Sequence, residues 1–307
     1  MELSHHREGA GEPLVLVHGF GCRWQYFEPL LPLLAEHHEV IAVDLPGFGA
    51  SPPLPAGVTP TAAALADEIG RFLEGLGANP SGAHLAGSSL GGHVVLELAG
   101  QRGARSVCTL SPVGFLDARE RTWLERSLAF TVWAAPRLLP VARQLCASAV
   151  GRTLVMGQTT ARPWRVPADV LHANLEALAA APGLEATRRV IGEGRFGSEQ
   201  GDALAEARIP VTIGWAQRDR LVLPGGAARA LERIPGARVL WLRGCGHLPF
   251  WDDPAQVAEA ILSAARWDGG QAAGVDGPAG GRSKSAASGR SKPTGSREPT
   301  GSRRDDD

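Results

Sequence analysis

The chain has 307 residues, with 31 basic and 32 acidic side chains and a formal net charge of -1. This length suffices for one large domain or two ordinary ones, and the near-neutral charge provides no overall field to attract nucleic acid or an anionic membrane. No apolar run approaches the roughly 20 residues of a membrane-spanning helix, and the first residues lack the apolar stretch of a secretory signal. These features predict a cytoplasmic protein without a membrane span that binds no nucleic acid.

Short apolar runs alternate with helical patterns over most of the chain. The predicted strands are residues 14–17, 39–43, 83–86, 106–110, 211–213 and 238–242. The predicted helices between them are residues 24–36, 61–76, 90–101, 227–234 and 254–265. Near-continuous apolar runs are typical of strands buried on both faces of a parallel sheet, and the alternation predicts right-handed crossovers. The expected fold class is therefore α/β, with a mostly parallel, doubly covered sheet.

Two segments depart from this alternation. Residues 112–200 carry helical patterns, at 124–135, 138–150 and 168–181, and no convincing strand. This predicts a helical cap over the sheet edge where open α/β sheets bind ligands. Residues 268–307 are rich in Gly, Ser and Arg and poor in large apolar side chains, so we expect a disordered tail. The predicted organisation is a core of residues 1–111 and 201–267, a cap of residues 112–200, and the tail.

A tight turn stands between the third predicted strand and the next helix. Residues 87–91 read Gly-Ser-Ser-Leu-Gly. A strand-to-helix turn of this kind needs glycine beside its central serine, because a Cβ would clash there, and it raises that serine above the sheet. The sequence therefore predicts Ser89 as a nucleophile. The backbone N–H of Leu90 opens the helix and is a candidate donor to an oxyanion.

A serine hydroxyl is a weak nucleophile and needs a base that an acid orients. Asp219 follows the fifth predicted strand and His247 follows the sixth, each in a loop. Because the carboxyl ends of parallel strands share one edge, we expect Ser89, Asp219 and His247 to meet there in the order nucleophile, acid, base. Phe20 follows the first predicted strand, and its backbone N–H is the second candidate oxyanion donor.

These motifs resemble the serial signatures of the α/β-hydrolase superfamily, in its serine-nucleophile, esterase- and lipase-like branch. The resemblance covers roughly residues 10–112 and 208–265 and rests on the segments 18–21 (HGFG), 44–51 (DLPGFGAS) and 87–92 (GSSLGG) with Asp219 and His247. It implies the fold, the triad and a loop-organising role for Asp44. Relatives usually carry an additional N-terminal strand or hairpin, and only about a dozen residues precede Leu14, so an edge strand is expected to be missing.

The residue at the turn discriminates between branches of this superfamily. Epoxide hydrolases and haloalkane dehalogenases carry aspartate there, and epoxide hydrolases also use cap tyrosines, whereas this chain has Ser89 and one tyrosine, Tyr26, outside the cap. Carbon-carbon bond hydrolases share the serine triad but usually continue the oxyanion loop as Ser-Gly-Pro-Gly. Here Phe20 is followed by Gly-Cys-Arg, which leaves that reaction as a lesser alternative.

The expected activity is hydrolysis of a carboxylic ester or thioester of a small to medium apolar substrate through an acyl-enzyme. An acyltransferase or perhydrolase on the same triad, and a ligand-binding protein with a vestigial site, stay open as alternatives. Aromatic side chains of the cap are expected mainly to pack it onto the core: Phe115, Trp123, Phe130, Trp133 and Trp164. The four cysteines show no metal-ligand spacing. Hydrolysis through an acyl-enzyme needs no metal or organic cofactor, so none is expected. The oligomeric state is left open.

Overall fold

A seven-stranded sheet forms the centre of the computed structural model, which describes residues 1–192 and 194–270. The strands are β1 (His5–Glu8), β2 (Pro13–Val17), β3 (Glu39–Val43), β4 (His84–Ser88), β5 (Ser106–Leu110), β6 (Val211–Ala216) and β7 (Arg238–Leu242). Their order across the sheet is β1-β3-β2-β4-β5-β6-β7. Strand β1 is antiparallel to β3, and the remaining neighbours pair in parallel.

Ten α-helices lie within the described residues. They are α1 (Leu31–Ala35), α2 (Ala62–Gly75), α3 (Leu90–Arg102), α4 (Ala118–Ala147), α5 (Ala149–Met156), α6 (Ala168–Ala180), α7 (Leu184–Ile191), α8 (Ser198–Glu206), α9 (Gly226–Arg233) and α10 (Pro254–Arg266). Helices α4 to α8 stand between β5 and β6 and are called the cap helices below. No helix in the described part is long and apolar enough to cross a bilayer.

Alternate residues of the strands enter two separate apolar layers. Val15 and Val17 of β2 lie in the layer that contains Leu65 of α2, whereas Leu14 and Leu16 lie in the layer that contains residues of α1 and α10. This follows from the period of two residues along a strand, which turns successive side chains to opposite faces. The sheet is therefore covered on both faces, as a parallel sheet requires.

The predicted fold class is confirmed, and all six predicted strands are present. The expectation of a missing edge strand is wrong, because β1 pairs with β3 along His5–Val43 to Glu8–Val40. Its sequence, His-His-Arg-Glu, is polar and partly exposed, so it carries no apolar run. The predicted helix at residues 24–36 is also wrong, because a 3-10 helix, Trp24–Phe27, precedes the short α1.

The cap helices differ from the predicted pattern in number and length. The predicted helices at residues 124–135 and 138–150 are largely one helix, α4, which continues through Pro136 and Pro140. Helices α5, α7 and α8 were not predicted. Helices α4, α5 and α6 enclose a small apolar cluster of their own, which includes Ala142, Met156 and Leu171. The predicted tail falls outside the described residues from position 271 onward, and the exact division into core, cap and tail stays a prediction.

Candidate active site

The turn between β4 and α3 holds Ser89 in an unusual backbone conformation. Its φ and ψ angles are 56° and -115°, and a positive φ is uncommon for a residue with a Cβ. A Cβ on Gly87 would overlap the carbonyl oxygen of Gly91, and a Cβ on Gly91 would overlap that of Val17. The close passage of these chains explains why the motif needs glycine. Such a conformation costs on the order of 1–3 kcal/mol and is typical of functional sites.

The side chains of His247 and Asp219 form a buried pair. His247 Nδ1 lies 2.7 Å from Asp219 Oδ2. The other oxygen of Asp219 accepts the backbone N–H groups of Leu221 at 2.9 Å and Val222 at 2.8 Å. Three donors therefore hold the carboxylate in place, which fixes the orientation of the imidazole. An imidazole that donates from Nδ1 to a carboxylate presents Nε2 as the acceptor, which is the tautomer a general base needs.

Ser89 and His247 line the same cavity, at the carboxyl edge of the sheet. Within the described residues the His247 side chain bonds only to Asp219 and the Ser89 hydroxyl has no hydrogen-bond partner, so Ser89 and His247 are not hydrogen-bonded to each other in this structure. Hydrogen bonds of this kind are often long in free enzymes and shorten with substrate bound. The structure thus brings the predicted nucleophile, acid and base to one place in the expected order.

The loop after β2 lies directly against the turn. A Cβ on Gly19 would stand 3.0 Å from Ser89 Cβ and 3.6 Å from Ser89 Oγ. Phe20 lines the cavity beside Ser89. Leu90 is the first residue of α3, so its N–H is one of the donors that a helix leaves without an internal partner. The Leu90 side chain lies elsewhere, against a smaller cavity that His93 also lines.

Two buried polar residues hold this loop. His18 lies with Nδ1 at 2.8 Å from the carbonyl oxygen of Gly19, and its Nε2 accepts the N–H of Leu45 at 2.9 Å. Burial lowers the pKa of His18, although the nearby Asp44 opposes the shift, so the ring is neutral. Asp44 accepts the N–H groups of Trp24 at 2.7 Å and Ala50 at 3.0 Å. Both residues therefore organise backbone, as the resemblance implies for Asp44.

Asp252 is a site residue that the sequence analysis missed. Its buried carboxylate accepts the N–H of Gly246 at 2.8 Å, that of Ala161 at 3.0 Å and that of Arg162 at 2.6 Å. Gly246 directly precedes His247, while the other two residues belong to the loop after α5. Asp252 therefore ties the histidine loop to the cap. The adjacent Asp253 is the N-cap of α10, and this helix-start pattern concealed the separate role of Asp252.

The cavity has a volume of about 450 Å³ and is walled mainly by the cap helices. Its lining includes Leu124, Leu128, Ala134, Leu138, Met156, Leu171, Leu175 and Leu178, with Gln158 and Thr159 among its few polar side chains. Among the residues that the structure describes, no Arg, Lys, Asp or Glu lines it. Cys22 also lines the wall, and burial raises its pKa to about 12, so it is an unreactive thiol. No group of side chains within the described residues could hold a metal ion.

The chain belongs to the alpha/beta hydrolase family, whose sequence model matches residues 14–260. One relative is the pimeloyl-(acyl-carrier protein) methyl ester esterase of Aeromonas hydrophila. It is 30% identical over 273 residues, which cover 85% of this chain and 98% of the relative. Another is the dihydrolipoyllysine-residue acetyltransferase component of the acetoin cleaving system of Cupriavidus necator. It is 32% identical over 251 residues, which cover 81% of this chain and only 62% of that longer protein.

Solved structures share the fold at lower sequence identity. An esterase from Thermogutta terrifontis has a TM-score of 0.65 and 22% identity, over 85% of this chain and 92% of its own. The enol-lactonase of Burkholderia xenovorans has a TM-score of 0.67 and 16% identity, over 85% and 95% of the two chains. These likenesses show that the fold is shared.

Proposed function

We propose that the protein is a serine esterase in which Ser89 is the nucleophile, His247 the general base and Asp219 the acid that orients the imidazole. The observation that carries this proposal is the 2.7 Å contact between His247 Nδ1 and Asp219 Oδ2 in a cavity that Ser89 also lines. A buried acid-base pair beside a serine held at positive φ is the arrangement that nucleophilic acyl transfer needs.

The reaction would proceed in two halves. His247 Nε2 accepts the Ser89 proton as the serine oxygen attacks the ester carbonyl, and the oxyanion forms hydrogen bonds with the N–H groups of Phe20 and Leu90. The alcohol leaves with the proton from His247, and the acyl group stays on Ser89. Water then gives a proton to His247 and attacks the acyl-enzyme, which releases the acid and returns the proton to Ser89.

The cavity indicates which acyl groups would fit. Its lining is mainly apolar, so burial of hydrocarbon stabilises the complex by about 0.8 kcal/mol per methylene. Because no arginine or lysine among the described residues lines it, a buried carboxylate would find no such cationic partner. We therefore propose an uncharged, small to medium apolar acyl chain, joined as an ester or a thioester. The ester substrate in the name of the Aeromonas hydrophila relative supports the ester linkage.

Acyl transfer to an acceptor other than water is the second candidate. The name of the Cupriavidus necator relative, an acetyltransferase component, favours it. The two reactions share the acyl-enzyme and differ only in its second half. Product analysis with an added alcohol or thiol separates them, because a transferase forms a new ester or thioester whereas a hydrolase releases only the acid.

The test is a panel of p-nitrophenyl esters from acetate to decanoate, assayed with wild type, Ser89→Ala and His247→Ala. We expect kcat/KM to rise with chain length until the cavity is filled, and both variants to lose at least about a thousandfold in kcat. Turnover that persists in Ser89→Ala would disprove the assignment of the nucleophile. The predicted cytoplasmic location stays a prediction.

A further inference from the structure

The longest cap helix carries an unusual outer surface. Along α4, residues spaced by three or four positions are exposed on one side, which we call the α4 stripe: Arg119, Trp123, Arg126, Phe130, Trp133, Arg137 and Val141. At 3.6 residues per turn this spacing places all seven side chains on one face of the helix. The amphipathic pattern of a water-exposed helix is absent here, because the outward face holds large apolar side chains where polar ones are normal.

These side chains are more exposed than packing onto the core would allow. Phe130 is 64% exposed and Trp133 is 55% exposed. Their rings are 5.8 Å apart, so they form one apolar surface. On the neighbouring α5, Val150 and Leu154 are exposed as well, Leu154 to 76%. The expectation that the cap aromatics mainly pack inward is therefore wrong for Trp123, Phe130, Trp133 and Trp164.

The charges of the α4 stripe have a single sign. Its ionisable residues are Arg119, Arg126 and Arg137, and it contains no acidic side chain. Arg137 stacks over the Trp133 ring, with its guanidinium carbon 4.6 Å from the ring centroid. Glu125 belongs to the same helix, but a step of one residue rotates it about 100° from Arg126 and off the stripe. The net charge of -1 for the whole chain therefore conceals a local basic surface.

The stripe is continuous with the interior of the candidate active site. Phe130 and Leu154, which are exposed, also line the cavity that contains Ser89 and His247. Leu138 and Leu145 of α4 lie along the same lining. A largely apolar surface thus leads from outside the protein to the serine, and no Arg, Lys, Asp or Glu of the described chain lies in its lining.

We propose that the α4 stripe, with Val150 and Leu154 of α5, docks on an anionic lipid bilayer. Arginine stems and tryptophan rings suit the headgroup level of a membrane, and phenylalanine and aliphatic side chains suit the acyl boundary beneath it. Each arginine near such a surface contributes about fivefold to binding. Protein interfaces are as a whole only about as apolar as other surfaces, so exposed valine, leucine and phenylalanine favour lipid over an acidic protein. If the proposed esterase function holds, docking would deliver a lipid-dissolved ester directly to the cavity.

The test is co-sedimentation of the full chain with vesicles of phosphatidylcholine alone or of phosphatidylcholine and phosphatidylglycerol in equal parts. We expect wild type to pellet with the anionic vesicles and to be released by salt, and to stay in solution with the neutral ones. Arg137→Glu should weaken binding about 25-fold, since it removes one attraction and adds one repulsion, and Trp133→Ser should weaken it further. Both side chains lie outside the cavity, so hydrolysis of a soluble ester should be unchanged.

Arg143→Glu is the matched control, because it makes the same charge change on an exposed residue of α4 that lies off the stripe. The proposal is overturned if wild type does not bind anionic vesicles, or if Arg143→Glu weakens binding as much as Arg137→Glu. It is also overturned if the surface proves to join two copies, seen as a dimer that Trp133→Ser dissociates in sedimentation velocity without any vesicle binding. Ser89→Ala should bind vesicles like wild type, so docking and catalysis can fail separately.

Discussion

Replacing Asp252 by Asn should damage both stability and turnover, although this residue does not face the cavity. One carboxylate oxygen accepts Arg162 N–H, and the other accepts the N–H groups of Gly246 and Ala161. An asparagine can keep its oxygen on the side with two donors, and its amide NH₂ then opposes the N–H of Arg162. Losing one charge-assisted bond costs about 2 kcal/mol, and the buried unpaired donors add about 1 kcal/mol. We therefore expect the free energy of unfolding to fall by about 3 kcal/mol.

Turnover should fall as well, because the oxygen bonded to Gly246 fixes the residue before His247. A displacement of the imidazole by a fraction of an ångström is enough to lower kcat by roughly tenfold or more. Stability is measured by tryptophan fluorescence in urea, and kcat with a p-nitrophenyl ester of medium chain length.

The neighbouring variant Asp253→Asn is the control. Asp253 is the N-cap of α10 and accepts Gln256 N–H at 3.1 Å, and asparagine is as good as aspartate in that position. It should therefore change the free energy of unfolding by less than about 0.5 kcal/mol and leave kcat intact. If Asp252→Asn is as stable and as active as Asp253→Asn, the proposed link between the cap and the histidine loop is wrong.

Three further outcomes follow from single residues. Gly19→Ala should lower kcat by about a hundredfold, because the added Cβ would press on Ser89. The control is Gly100→Ala on α3, whose Cβ meets open space, so it should leave kcat unchanged and stabilise the fold by up to about 1 kcal/mol. Equal kcat values for the two variants would refute the contact between Gly19 and Ser89. Burial lowers the pKa of His18 and keeps it neutral in the folded state. The unfolded chain therefore binds an additional proton below about pH 6.5, and the free energy of unfolding falls as the pH is lowered through that range. His18→Gln should make the free energy of unfolding, measured by urea titration, depend less on pH. Burial raises the pKa of Cys108 to about 12, so the free energy of unfolding should fall as the pH rises above the ordinary thiol pKa of about 8.5. For Cys108→Ala the free energy of unfolding should fall less steeply between about pH 8 and pH 10. A slope equal to that of wild type would contradict the burial argument.

The sequence predicted best those features in which a local residue pattern reflects the position in the fold, such as buried strands and the loops that follow them. Apolar runs predicted six strands because buried parallel strands leave a near-continuous signal. The positions of Ser89, Asp219 and His247 could be predicted because each follows such a strand, which fixes the edge at which it lies. Strand β1 escaped detection because its pairing with β3 uses backbone bonds, and its side chains are polar.

Contacts between distant segments could not be predicted in the same way. Asp252 acts through backbone N–H groups about 90 positions away in the loop after α5, and no local pattern encodes that contact. The exposure of Trp133 and Phe130 is likewise a tertiary property. Aromatic residues on a helix of mixed polarity predict packing in general, and only the position of α4 at the surface shows which of them remain outside.

The central claim is that His247 activates Ser89, and labelling with a fluorophosphonate probe tests it most directly. The probe phosphonylates only a serine that a base has activated, so wild type should be labelled and Ser89→Ala should not. Ser88→Ala is the control, because Ser88 is the adjacent buried hydroxyl without a hydrogen-bond partner in the described residues, and it should be labelled like wild type. A folded wild-type protein that resists the probe, or a Ser89→Ala variant labelled at the wild-type rate, would contradict the account.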